Sequence, residues 1–161
     1  MKAARRDPRH RAREAALQIL YQWEIGRTDV GSAADTFFGL QWADPEPVPD
    51  DLRTFATELA HDTVRRLAES DALIAETAER WRPERMAVLD RLVLRMAVTE
   101  LMRALRPAAT GRHTNQAEPV PPAVVINEAL ELARTFSTED AVKFINGMLD
   151  AIRKKLERHD A

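Results

Sequence analysis

The chain has 161 residues, of which 45% are apolar and 31% charged, with five glycines and no cysteine. This length suits one domain with a core of its own, and the missing cysteines exclude disulfides and thiolate metal sites. No apolar run approaches the roughly 20 residues that span a bilayer, and Asp7 and Glu14 argue against a transit peptide at the basic N-terminus. We therefore expect a cytoplasmic protein without membrane contact.

Positive charge is concentrated at the start of the chain. Residues 1–13 contain six lysines and arginines against Asp7 alone, a balance of +5, whereas the remainder has a balance of −7. A basic arm on an acidic body indicates a local anionic partner rather than general adhesion to polyanions.

The hydrophobic periodicity is helical along nearly the whole chain. The first helix is predicted to begin at Asp7-Pro8, because aspartate suits the N-cap and proline the first helical position, and to end at Gly26. Further helices are predicted over 33–40, from 50 or 51, from 70 to 82, over 86–105 as the most buried helix, over 123–136, and from 138 onward. The polar, proline-punctuated segment 106–122 is typical of a flexible surface loop. Six to seven helices predict an all-α protein.

Catalytic motifs are absent from the pattern. The four histidines are scattered and lack metal-ligand spacing, and neither a P-loop nor a glycine-rich dinucleotide turn occurs. We expect a protein that is not an enzyme and that requires no cofactor or metal.

The basic arm continues into the first helix, where Arg9, Arg11 and Arg13 occupy the first turn and a half. A cation there opposes the helix dipole and costs about 0.3–1 kcal/mol. A bound phosphate would reverse that sign, because free backbone N–H groups and guanidinium groups point toward the same place. The alternatives are an RNA or other polyanion site and a basic terminus that is merely solvated.

A second candidate lies in STEDAVKFINGMLDAI, residues 137–152. On a helical wheel Asp140, Phe144 and Gly147 share a face about 110° from the centre of the apolar stripe. An exposed aromatic ring beside the cation of Lys143 is suited to stacking on an unpaired nucleotide. Alternatively, Phe144 covers a neighbouring helix at the edge of the core. For Asn127 and Glu128 the pattern does not choose between a helix tie and a partner contact.

Three segments occur in an order that is informative: AREAALQILYQWE, LDRLVLRMAVTELM and AVVINEALELARTFSTEDAVKFINGMLDAI. Together they resemble the NusB family of bacterial transcription antitermination factors, most specifically in INEALELA followed by KFINGMLDAI. The resemblance implies two small packed helical subdomains within a single RNA-binding domain over 1–161, with 1–13 as the basic arm and 106–122 as a long loop.

The resemblance also implies a function and its residues. The function is binding of boxA, as single-stranded RNA in nascent ribosomal RNA leaders, together with the small-subunit ribosomal protein NusE in the RNA polymerase antitermination complex. The implied RNA-binding residues are Arg5, Arg6, Arg9, Arg11, Arg13, Asp140, Lys143 and Phe144. The implied partner-binding residues are Tyr21, Glu84 and Asp90.

Two departures and two alternatives remain. The segment 106–122 is longer than the family's usual connection, and Asp7-Pro8 places Arg5 and Arg6 before the helix. One alternative is a homodimeric interaction protein whose basic arm is sequestered in the interface. The other is the RNA-binding module of an rRNA cytosine methyltransferase without its catalytic α/β domain.

Overall fold

The structure, a computed structural model, describes residues 8–78, 85–105 and 120–159. All regular elements in these ranges are helical, which confirms the predicted all-α class and helix number. The seven α-helices are α1 (Pro8–Gly26), α2 (Val30–Thr36), α3 (Asp50–Arg65), α4 (Leu67–Thr77), α5 (Val88–Leu105), α6 (Pro122–Phe136) and α7 (Glu139–His159). A short π-helical segment, Phe37–Gln41, continues α2.

Two helix starts differ by three residues from those predicted. The second helix begins at Val30 because the Asp29 carboxylate accepts the Ser32 backbone N–H at 2.9 Å and caps the helix. The fourth begins at Leu67 rather than at Ser70-Asp71, because the chain leaves helical geometry only at Arg66 (φ −100°, ψ 18°). Ser70 is then a buried residue inside α4 and not a cap. The predicted extension of this helix to residue 82 is also wrong, because α4 ends at Thr77 and Ala78 has extended geometry (φ −114°, ψ 109°). Arg82-Pro83 itself lies outside the described residues.

The chain divides between Arg65 and Arg66 into two compact units. In the first unit α1 packs against α2 and α3. Buried side chains of α1, among them Leu17, Ile19 and Leu20, form its core. An aromatic cluster of Phe37, Phe38 and Trp42, with ring centroids 5.1–6.3 Å apart, follows α2.

In the second unit α5 is the central helix and packs against α4, α6 and α7. Its residues 91–102 are all buried, which confirms the prediction for this segment. The Arg95 guanidinium donates two hydrogen bonds of 2.9 Å to the Asp71 carboxylate and so joins α5 to α4. The segment 106–119 lies outside the described residues. The reading of 1–161 as one RNA-binding domain stays a prediction.

Candidate nucleic-acid interface

The first turns of α1 pack against an aromatic ring of α3. The Cζ atom of Arg9 lies 4.2 Å from the centroid of the Phe55 ring, and that of Arg13 lies 5.3 Å from the same centroid. The two arginines are four residues apart and therefore share a face of the helix. Guanidinium groups at these distances are attracted by the ring quadrupole. Phe55 therefore fixes two of the predicted RNA-binding side chains.

Burial separates these two arginines. Arg13 is only 2% exposed, whereas Arg9 is exposed. An RNA phosphate can reach the Arg9 guanidinium directly, but Arg13 contributes its charge from beneath the surface. RNA contact by either residue stays a prediction, and Arg5 and Arg6 lie outside the described residues.

Arg11 occupies a separate site next to the aromatic cluster. Its Cζ atom lies 4.9 Å from the Trp42 ring centroid, and its Nη2 donates to Asp44 Oδ2 at 2.7 Å. The other carboxylate oxygen, Oδ1, accepts the backbone N–H of Glu46 at 3.0 Å, while Trp42 Nε1 donates to the Glu46 carbonyl at 3.0 Å. Both partners are about one-third exposed (34% for Arg11, 32% for Asp44). We call Arg9 and Arg11 the α1 basic surface.

The second predicted RNA site lies on α7. Phe144 is 41% exposed, which confirms that it lies outside the core, and Asp140, Lys143 and Gly147 are also exposed. No ion pair in the described part of the chain involves Lys143 or Asp140. We call these four residues the α7 patch. It combines the accessible ring of Phe144 with the cation of Lys143, which forms no ion pair with any described residue.

Gly147 leaves open space on the α7 patch, since a Cβ atom built there would meet no other atom within 4 Å. Replacement of Gly147 by alanine is therefore expected to raise the free energy of unfolding by about 1 kcal/mol, because glycine is the weaker helix former. Urea denaturation followed by circular dichroism measures the difference. A lower stability would show that this position carries a backbone constraint that the space around it does not indicate.

The cations at the end of α7 are engaged differently. Arg153 pairs with Asp150 at 3.0 Å and with Glu157 at 3.7 Å, and Lys154 pairs with Asp150 at 3.1 Å. Hydrogen bonds from Lys154 and Arg153 hold the pKa of Asp150 below its ordinary value. These two cations thus form ion pairs with carboxylates of their own helix, unlike Lys143.

The described ranges contain neither a metal-binding cluster nor a membrane-spanning helix. No group of three or more potential ligands there could hold a metal ion. None of the described helices combines the length and the apolar character required to cross a bilayer.

Known proteins match this chain over most of its length. Residues 10–110 and 115–154 match the model of the NusB family. The chain belongs to the NusB family. A NusB transcription antitermination protein from Solibacter usitatus is 40% identical over 153 residues, which cover 95% of this chain and 93% of the relative.

Solved NusB structures share the fold. NusB of T. maritima superposes with a TM-score of 0.72 at 29% identity, covering 92% of each chain. A crystal structure of the antitermination factors NusB and NusE in complex with dsRNA gives a TM-score of 0.69 at 25% identity, covering 92% of this chain and 97% of that chain. The family-model match over residues 10–110 and 115–154 includes Arg11 and the α7 patch.

The partner residues implied by the NusB resemblance have different environments. Tyr21 on α1 is 42% exposed and available to a partner. Asp90 lies in the first turn of α5, where its buried Oδ1 has no hydrogen-bond partner among the described residues. Glu84 lies outside the described residues. Asn127 is exposed, whereas Glu128 is half-buried and already engaged in an interaction.

Proposed function

We propose that this chain is a non-enzymatic transcription antitermination factor of the bacterial cytoplasm. It binds boxA RNA of nascent ribosomal RNA leaders together with NusE and supports read-through by RNA polymerase. The family match over residues 10–110 and 115–154 carries this proposal. The structure of NusB and NusE with dsRNA supports the choice of partners.

The α1 basic surface and the α7 patch contact different parts of the RNA. The α1 basic surface, with Arg5 and Arg6, binds phosphates, and phosphate contacts position a protein without reading sequence. Phe144 stacks on an unpaired base, beside the charges of Lys143 and Asp140. Arg13 adds positive charge and ties the start of α1 to Phe55.

The protein partner contacts residues other than those that bind RNA. We assign Tyr21, Glu84 and Asp90 to contact with NusE. The exposed ring of Tyr21 supports this assignment. The methyltransferase alternative is disfavoured, because the Solibacter relative, which is 40% identical over 153 residues, is an antitermination protein.

Fluorescence anisotropy of labelled RNA tests the proposal, with NusE added or omitted. We expect tighter binding of boxA RNA than of scrambled RNA, and a further gain with NusE. With about four phosphates neutralised, the slope of log K against log salt should be near −3, since each contact on a single strand contributes roughly −0.7. Equal affinity for boxA and scrambled RNA, with and without NusE, would contradict the proposal.

The strandedness of the RNA is tested in the same titration. The related complex contains dsRNA, whereas stacking by Phe144 requires an unpaired base. The same boxA sequence is therefore offered as a single strand and as a duplex. Preference for the single strand is the expected result, and preference for the duplex would remove the stacking role of Phe144.

A further inference from the structure

The contact between Arg11 and Asp44 lies within the proposed RNA surface, where an RNA phosphate competes with the carboxylate for the same guanidinium. A single hydrogen bond of 2.7 Å joins the two side chains, from Nη2 to Oδ2. A phosphate oxygen accepts from a guanidinium group with the same geometry as a carboxylate oxygen. The Asp44 carboxylate thus occupies a position on Arg11 that an RNA phosphate would also use.

We propose that Asp44 holds the phosphate-binding position of Arg11 in the RNA-free protein, and that a phosphodiester of bound RNA replaces its carboxylate. This inference rests on the proposed function. It identifies Asp44 as a residue that tunes RNA affinity and Trp42 as a positioning residue for Arg11.

The geometry favours exchange over a permanent pair. The Arg95–Asp71 pair is bidentate and Arg95 is 8% exposed, whereas the Arg11–Asp44 pair has one hydrogen bond and two partners about one-third exposed (34% and 32%). Exposed pairs of this kind are weak, since water and ions compete with them. An RNA phosphate held by neighbouring contacts can therefore displace the carboxylate.

The other contacts of Arg11 and Asp44 are retained when an RNA phosphate replaces the carboxylate. The contact between the Arg11 guanidinium and the Trp42 ring, with Cζ 4.9 Å from the ring centroid, is separate from the hydrogen bond to Asp44 and is retained. Asp44 keeps its Oδ1 bond to the Glu46 N–H, so the turn that carries Trp42 and Asp44 is retained. Only the bond between Nη2 and Oδ2 changes partner.

The test is the variant Asp44→Asn, because asparagine keeps an oxygen for the Glu46 N–H and removes the competing charge. We expect its affinity for boxA RNA, measured by anisotropy, to rise roughly two- to fivefold. The salt slope should stay unchanged, because Arg11 contacts phosphate in both proteins. A slope more negative by about 0.7 would show that Arg11 binds phosphate only in the variant, and this result would overturn the displacement.

The first unit offers a matched control in Asp35→Asn. Asp35 pairs with Arg53 at 3.2 Å, and Arg53 lies 5.2 Å from the Phe38 ring centroid, so the control removes the same charge from a similar carboxylate–arginine–aromatic arrangement. Its affinity should equal that of the unmodified chain. An equal gain in Asp35→Asn would show a general charge effect and would overturn the proposal.

A second control isolates Arg11. In the Arg11→Ala background, Asp44→Asn should give no gain, because the carboxylate has no guanidinium to release. A gain that persists there, or unchanged affinity of Asp44→Asn in a chain that binds RNA, overturns this inference alone. Absence of RNA binding by the unmodified chain and by every variant overturns the proposed function and the inference with it.

Discussion

Replacement of Arg9 and Arg11 together by alanine is expected to weaken RNA binding about a hundredfold. A hydrogen bond to a charged group contributes about 1.5–3 kcal/mol. The loss of two phosphate contacts is partly offset, because without RNA the two arginines contact Phe55 and Asp44. The loss should be similar for boxA and scrambled RNA, since phosphate contacts carry no sequence information. The salt slope should become less negative by about 1.4. Anisotropy at several salt concentrations measures both quantities.

The control for this variant is the replacement of Arg65 and Arg134 by alanine. Both are exposed, at 71% and 52%, and each pairs with a carboxylate three residues earlier on its own helix. The net charge changes by the same amount, so a general electrostatic effect would appear in both proteins. If the control loses as much affinity as the Arg9 and Arg11 variant, the α1 basic surface is not the phosphate site.

The local signals in the sequence predicted the helices well. Proline and glycine mark the ends of α1 at Pro8 and Gly26, and the nearly continuous apolar run of α5 indicated its burial. The predicted start of α4 was wrong, because Ser70-Asp71 has the residue types that are typical of an N-cap. In the folded chain Ser70 is buried and Asp71 is bound to Arg95, a contact between two helices that composition does not reveal.

The two RNA sites differed in how far the sequence could describe them. The exposure of Phe144 follows from the angle between this residue and the apolar stripe of a single helix, which a helical wheel gives directly. The surroundings of Arg9, Arg11 and Arg13 depend on Phe55, Trp42 and Asp44, which are more than 30 residues away along the chain. The helix dipole alone would leave these arginines uncompensated, whereas aromatic rings and a carboxylate partly compensate their charge.

The arginines of the basic arm are not equivalent in the folded protein. Arginine is usually found at the protein surface, but Arg13 is only 2% exposed and lies next to the Phe55 ring. The spacing of Arg9 and Arg13 placed both on one face of α1, but no signal in the sequence indicated that this face packs against α3. Charge counting alone would give five equivalent arginines, while the structure shows Arg13 buried, Arg9 exposed and Arg11 about one-third exposed beside Asp44.

Replacement of Phe144 by alanine is expected to weaken binding of single-stranded boxA RNA by about 1–3 kcal/mol, or roughly five- to 150-fold, if the ring stacks on one base. The salt slope should not change, because no phosphate contact is removed. The ring is 41% exposed, and the neighbouring Gly147 leaves open space where a base can lie against it. Anisotropy titrations over a range of salt concentrations separate this effect from the loss of a charge.

A matched control for Phe144 is Val124→Ala on α6. Val124 belongs to the same unit and is 44% exposed, close to the 41% of Phe144, so both variants remove apolar surface of similar exposure. Thermal denaturation shows whether either change lowers stability. With both proteins folded, only the Phe144 variant should lose RNA affinity. Unchanged affinity would return Phe144 to a role in covering the edge of the core, and would leave RNA binding to the arginines of α1.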